Sequence, residues 1–417
     1  MKTLTFNYYD EFACTGPECE DSCCKHWEID LSKREYLDYK KMECSPELRA
    51  TLDSAFKRTK TGNDYRYAKM NLREDGSCPF LGEDRLCMLQ KEKGASALTV
   101  VCGTFPRNWC QIGNDAVIFA LTPTCCHVVE LLMKHPEGLI LTEGEYDGTN
   151  RLINRNVMTA IGIPADSKIL PYIWSIKTAQ LDILQNRDFT IAERLLILGY
   201  YTHKACDYLE NSPEKLDQLA DMMLDRELIT TIANSLKTPQ TNVQADTRTV
   251  DMLFKLSLQA KKNAAPHINE LLDIIGKSVE LRFDPKDGGI VKEDLSIEYD
   301  IRFNAGSIAK NREIYSKIEA ERPYIIENLL ASLAFARFSK DEKMLWEDYF
   351  SMAELYNFLK TGLAAFLPEN YTDKELAMGI TNIVKILLNA NLAKYVTMYD
   401  FAKRNANSLP YVAFLIS

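Results

Sequence analysis

From about residue 160 onward, apolar residues recur at the three-to-four-residue spacing of helices that bury one face. Ile191 to Leu209 sets Leu195, Leu196, Leu198, Tyr201 and Tyr208 on one side. Pro323 to Phe338 keeps Ile325, Ile326, Leu329, Leu330, Leu333 and Ala336 to the i, i+3, i+4, i+7 rule. Val250 to Leu258, Ile268 to Leu281, Met344 to Phe366 and Leu376 to Phe401 repeat the style without a fixed period, which argues against a solenoid array.

The first third reads differently. It is rich in turns and cysteine. Short amphipathic helices are predicted at Ser32 to Met42, after the cap-like Asp30 and Ser32, and at Ser45 to Lys57. Trp109 to Leu121 reads as a hairpin with Gly113-Asn114-Asp115 at its turn, and it is the only convincing β signal. Between about 136 and 160 the composition shifts to Pro, Gly, Asn and Asp, a candidate boundary. The pattern therefore predicts a mainly α protein: a Cys-rich region over 1–135 with little β, then a large all-helical region over 136–417.

Composition narrows the function classes. The chain has 417 residues, 46% hydrophobic and 26% charged, with 18 Gly and 15 Pro, which is too apolar for disorder and too poor in glycine for collagen-like repeats. The net charge of −9 argues against a broad nucleic-acid or anionic-membrane surface, because phosphate binding needs clustered Lys and Arg. Ala116 to Met133 is the most apolar stretch, but Pro123, His127 and Glu130 interrupt it, short of the ~20 apolar residues of a spanning helix. The start, MKTLTFNYYDEF, has no apolar secretory core, so the cytoplasm is the expected compartment.

Eleven of the twelve cysteines lie between Cys14 and Cys126. The first four, Cys14, Cys19, Cys23 and Cys24, sit among Gly16, Pro17, Glu18, Glu20 and Asp21, which is loop composition rather than a core stripe. Cys78, Cys87, Cys102, Cys110 and the pair Cys125-Cys126 follow. A disulfide framework is disfavoured in a reducing compartment, and burial as small hydrophobes suits only isolated residues such as Cys206 and Cys44. Closely spaced thiols on a loop let several sulfurs converge on one centre, as zinc and iron–sulfur sites require. The spacings lack paired CxxC knuckles, and more than four thiols at irregular spacing suit a [4Fe–4S] cluster better than zinc. The radical S-adenosylmethionine loop is absent, since His26 stands where its third cysteine would be.

No GxGxxG follows a strand, and GxxxxGK[ST], HExxH and GxSxG do not occur. Of the five histidines only His26, two residues after Cys24, is a ligand candidate. Trp27 follows the cysteine loop directly, where an aromatic face can hold a sulfonium or ammonium group.

The residues Cys14-Thr15-Gly16, Cys19 through Cys24, Trp27, Cys78-Pro79-Phe80-Leu81 through Cys87, and Cys102-Gly103-Thr104-Phe105-Pro106-Arg107 together resemble the bacterial flagellin lysine N-methylase family. The same cysteine order is similar to small proteins described as zinc- or iron-chelating. PYIIENLL at Pro323 to Leu330, with Trp346 to Tyr349 and Leu355-Tyr356, resembles the family's C-terminal helical part. In family terms Cys14, Cys19, Cys23, Cys24, Cys78, Cys87, Cys102 and Cys125 occupy the signature positions and would hold the metal. Cys44, Cys110, Cys126 and Cys206 do not, and Cys126-His127 stands where the family more often shows Pro and an acidic residue. The resemblance implies methyl transfer from S-adenosylmethionine to lysine side chains of flagellin, with no nucleic-acid or membrane partner. Such chemistry needs a neutral lysine amine, whose free pKa is ~10.4. Glu327 and Tyr324 are the candidate catalytic groups, with Asn328, Trp27 and Arg107 as candidate S-adenosylmethionine contacts, Arg107 through its fork on the carboxylate.

Overall fold

The computed structural model describes residues 1–25, 29–146, 162–163, 166–236, 249–253, 255–257, 266–285, 299–388 and 409–416. The described chain is mainly helical and divides into two compact units. One comprises Met1–Leu131 and Ile140–Ala165, the other Leu132–Leu139 and Asp166–Ser417.

The first unit holds more β-structure than its sequence announces. β1 (Lys2–Phe6), β5 (Arg107–Ile112), β6 (Ala116–Leu121), β7 (Leu141–Glu145) and β8 (Gly162–Ile163) form one sheet in the order β7-β1-β6-β5-β8. The hairpin is present as β5–β6, in register from Arg107 opposite Leu121 to Ile112 opposite Ala116. Gly113 turns it at φ +53°, a left-handed value that glycine adopts without a Cβ clash. The hairpin, the one convincing β signal in the sequence, has further partners: β1 pairs parallel to β6 and antiparallel to β7. These partners lie more than a hundred residues apart, and a five-residue alternation such as KTLTF does not specify them.

A second, three-stranded sheet joins β2 (Asp30–Leu31), β3 (Phe56–Arg58) and β4 (Ala68–Met70) in the order β2-β4-β3. Against it lie α1 (Lys33–Lys41) and α2 (Pro46–Ser54), the two helices expected there. Ser32 and Glu35 cap α1 reciprocally, and Ser45 caps α2. Tyr39, Leu48, Leu52, Phe80 and Leu89 fill the core between them. Two short helices follow, α3 (Met88–Lys93) and α4 (Val100–Thr104), then α5 (Cys126–Leu132).

The second unit is helical: α6 (Ile173–Leu184), α7 (Ile191–Asn211), α8 (Leu216–Met222), α9 (Arg226–Leu236), α10 (Pro266–Ser278), α11 (Ala305–Glu321), α12 (Pro323–Ala336), α13 (Glu342–Gly362), α14 (Asp373–Leu388) and α15 (Leu409–Ile416), with one small ribbon of β9 (Arg282–Pro285) and β10 (Tyr299–Arg302). Thr190 with Glu193 starts α7, Asp341 starts α13, and Pro323 opens α12 with its φ already helical. The stripe read in Pro323–Ala336 understates its burial. Every residue from Ile325 to Phe335 is buried, so α12 is a central helix rather than a surface one. The continuation expected to Phe401 after α14 lies outside the described residues. No described helix is long and apolar enough to cross a membrane.

Candidate metal centre and polar site residues

The first cysteine loop begins with Gly16 at φ +58° and a 3-10 turn over Gly16–Glu18. The Cys14 sulfur accepts from the Gly16 amide at 3.5 Å. A second turn brings Lys25 N back to Ser22 O, and the Cys24 carbonyl then accepts from Cys78 N at 2.8 Å. Cys78 and Cys87 flank a tight loop in which Leu81 bridges to Cys87 and Met88 N donates to Phe80 O. Arg85, at the tip of that loop, donates to the Cys19 carbonyl and so ties the two segments together. Cys102 stands in the first turn of α4, its amide donating to Thr99 Oγ1 at 3.1 Å. Glu35 places that turn: one carboxylate oxygen caps α1 and the other accepts from Val100 N at 2.8 Å.

Electrostatics sorts the thiols into two groups. Cys24, Cys78, Cys87 and Cys102 lie within one another's fields. Cys23 joins them by donating to Cys24. That donated hydrogen bond lowers the Cys24 pKa from the usual thiol range. Burial pushes Cys78 up to about 12 and Cys102 to about 11. Cys125 belongs elsewhere, beside Cys19 and the pair's second member, Cys126, with Asp21 nearby. Cys14 lies within reach of both Cys19 and Cys23. Cys126, which the family signature leaves out, therefore stands where Cys125 does, and its sulfur is 3.9 Å from Glu130 Oε1. Cys44 packs on the apolar core of α1, α2 and the three-stranded sheet, and Cys206 sits on α7 with its sulfur on the Glu342 carbonyl at 3.2 Å. His26 and Trp27 lie outside the described residues.

Among the described residues no three Cys, His, Asp or Glu side chains stand together at ligand geometry. The donor chemistry nevertheless suits a soft metal: four thiols from three separate chain segments lie within one another's electrostatic reach.

Arg107 opens β5. Its Nη2 donates to the Phe12 carbonyl at 3.0 Å, and its guanidinium lies 5.0 Å from the Phe12 ring and 5.9 Å from that of Tyr9. It makes no ion pair among the described residues, and it also hydrogen-bonds the Tyr9 side chain.

The candidates on α12 are held differently. Glu327 is 1% exposed. Arg187 grips it through Nε and Nη2 at 2.9–3.2 Å, and Arg194 Nη1 reaches Oε2 at 2.7 Å. Both carboxylate oxygens are thus occupied by guanidinium donors. Asn328, fully buried, donates to the carbonyls of Leu132 at 2.9 Å and His135 at 2.8 Å, where α5 ends. Tyr324 is half-buried in the first turn of α12, close to Arg322, which pairs with Asp373. Glu327 and Asn328 secure the 132–139 segment and the start of α7. Their partners Arg187 and Arg194 carried no motif that sequence spacing could reveal.

The FliB lysine N-methylase C-terminal domain matches residues 178–415, more than half of the chain. The chain belongs to the FliB lysine N-methylase family. Relatives of this FliB-type chain include the lysine-N-methylases of Salmonella typhimurium and Salmonella choleraesuis, each 31% identical over 173 residues, which is 41% of this chain and 41% of the relative. The flagellar biosynthetic protein FliU of Salmonella muenchen is 30% identical over 158 residues, 37% of this chain and 92% of that protein. The match thus spans less than half the length of the two lysine-N-methylases. No solved structure matches the FliB-type chain significantly.

Proposed function

We propose that this chain transfers methyl groups from S-adenosylmethionine to lysine side chains of flagellin in the cytoplasm. The observation that carries the reading is the family match over 178–415, supported by relatives named lysine-N-methylase and flagellar biosynthetic protein. In the reaction a neutral lysine amine attacks the sulfonium methyl carbon. The N–C bond forms as the C–S bond breaks, the electron pair stays on sulfur, and the methylated ammonium sheds a proton. In-line geometry supplies most of the acceleration for such a displacement. Arg107 is assigned to the carboxylate of S-adenosylmethionine, with Trp27 as an aromatic face for the sulfonium. Cys24, Cys78, Cys87 and Cys102 are the residues assigned to hold a [4Fe–4S] cluster, with zinc as the other occupant their chemistry allows. When bound, the cluster would add folding energy to the Cys-rich unit.

Incubation of the metal-replete chain with S-adenosylmethionine and unmethylated flagellin is expected to add whole methyl masses to flagellin lysines. S-adenosylhomocysteine should accumulate in step, and the rate should rise toward alkaline pH because the amine must be neutral. Mass spectrometry of the flagellin decides it. No added methyl mass with metal-replete protein would leave a non-catalytic metal-binding or interaction protein as the better reading.

A further inference from the structure

One set of titratable side chains in the helical unit has no evident structural task. Tyr315 and Glu319 sit one turn apart on α11, and Tyr356 and Lys360 one turn apart on α13, which packs beside it. Tyr356 Oη donates to the Glu319 carboxylate at 3.2–3.3 Å. The two tyrosine rings meet edge to face, centroids 5.9 Å apart at 84°. Both rings are buried, whereas Glu319 keeps part of its surface open. The Tyr315 hydroxyl lies beside the same carboxylate, is buried, and forms no hydrogen bond of normal geometry among the described residues.

Desolvation holds the Glu319 carboxyl above its usual range, and the nearby cations do not cancel this. Lys360 donates to the Ile416 carbonyl at 3.0 Å and lies 5.4 Å from the Tyr356 ring centroid. Arg194 is committed to Glu327 and to the carbonyls of Phe189 and Leu184. Neither forms an ion pair with Glu319. Glu327, in the same unit, shows the ordinary solution: two guanidiniums on one buried carboxylate. A carboxylate offers about four acceptor positions, and among the described residues the side-chain donors at Glu319 are the neutral hydroxyls of Tyr356 and Tyr315. A desolvated carboxylate with neutral donors and no counter-ion costs the fold stability. Such an arrangement favours a ligand that brings the missing positive charge and N–H donors. The tyrosine rings beside it add an attraction for cations and none for anions.

We propose that Glu319, with the hydroxyls of Tyr356 and Tyr315 beside it, is a recognition site for the ammonium head of a lysine side chain of the substrate protein. The assignment to a substrate lysine rests on the methyl-transfer reading above; the preference for a primary alkylammonium rests on the site alone.

The test uses the full chain with two readouts. The first is binding of n-butylammonium against 1-butanol, its neutral counterpart of equal length, followed by NMR line broadening of the probe. The second is steady-state methylation of flagellin. Wild type should bind butylammonium and not 1-butanol. Glu319→Gln should weaken that binding by about 10- to 100-fold, the value of a charge-assisted hydrogen bond. It should raise KM for flagellin by a similar factor while S-adenosylmethionine binding stays unchanged, and Tyr356→Phe should fall between. Should Glu319→Gln fail to fold, Glu319→Asp keeps the charge but withdraws it from Tyr356, and reduced butylammonium binding is again expected. Equal binding by wild type and either folded variant overturns the site. If wild type methylates flagellin and Glu319→Gln does so with unchanged KM, the site falls and the methyl-transfer reading stands. If Glu319-dependent butylammonium binding is found without any methylation, the ammonium site stands and the methyl-transfer reading falls.

Discussion

Two glutamates in one helical unit show how differently a buried carboxylate can be used. Glu327 is shared between Arg187 and Arg194, whose side chains are 46% and 4% exposed. Glu327→Ala leaves Arg194 buried without a counter-charge, a loss of ~3–5 kcal/mol. Arg187→Ala, with the solvent-exposed partner removed, should cost about 1 kcal/mol or less. Denaturant unfolding of the two variants checks this ranking, and equal losses would contradict it. Glu319 has the opposite balance. Burial raises its folded-state pKa above the unfolded value. The stability this contributes is fully present below the unfolded pKa and is lost as pH rises through the folded one. At neutral pH the ionised side chain therefore weighs against the fold. Glu319→Gln should unfold no earlier than wild type at neutral pH, and its advantage should shrink on acidification. A neutral-pH Tm below that of wild type would mean that the carboxylate is structural.

At the scale of elements, the helical unit depends on close crossings as much as on apolar stripes. α7 and α13 approach closely at Gly199, where Tyr349 of α13 packs fully buried and donates to the Leu195 carbonyl at 3.0 Å. A Cβ at Gly199 would overlap the Tyr349 hydroxyl. Gly199→Ala is expected to cost ~1–3 kcal/mol through overpacking. Tyr349→Phe removes the nearest of the struck atoms but leaves the ring Cζ at 2.6 Å from the Cβ position, so the double variant should recover only a part of the loss. Simple additivity of the two changes would argue against this contact. In the Cys-rich unit the equivalent detail is the Glu35 carboxylate, which caps α1 with one oxygen and holds the first turn of α4, and hence Cys102, with the other.

The whole molecule has two compact units with separate internal packing, so unfolding need not be a single transition. Metal-binding energy is also folding energy, and under the reading proposed above it would stabilise the unit that carries eleven cysteines. Anaerobically purified protein is expected to contain iron and acid-labile sulfide. Chelation should lower one thermal transition and leave the other in place. Cys24→Ala, Cys78→Ala and Cys102→Ala should each lose metal, whereas Cys206→Ala should not. Zinc without sulfide would replace the iron–sulfur assignment, and retention of full metal by all three loop variants would refute the ligand set.

Local chemistry in the sequence determined much of this. Ser32 and Ser45 marked the starts of their helices because caps act within three residues. Apolar periodicity marked α7, α12 and α13, since each stripe is read along one segment, and Gly113 marked the hairpin turn. The cysteine spacing singled out the loop thiols, because loop composition around Cys14–Cys24 is itself a local property. What tertiary structure alone decided depends on partners distant in sequence. β1 found β6 more than a hundred residues away. The thiols separated into a Cys24, Cys78, Cys87 and Cys102 set and a Cys19, Cys125 and Cys126 set, which linear order does not encode. Glu327 and Glu319 lie eight residues apart with no difference in local pattern. One met two guanidiniums and the other two tyrosine hydroxyls, because a carboxylate's role is set by the charges that packing brings to it.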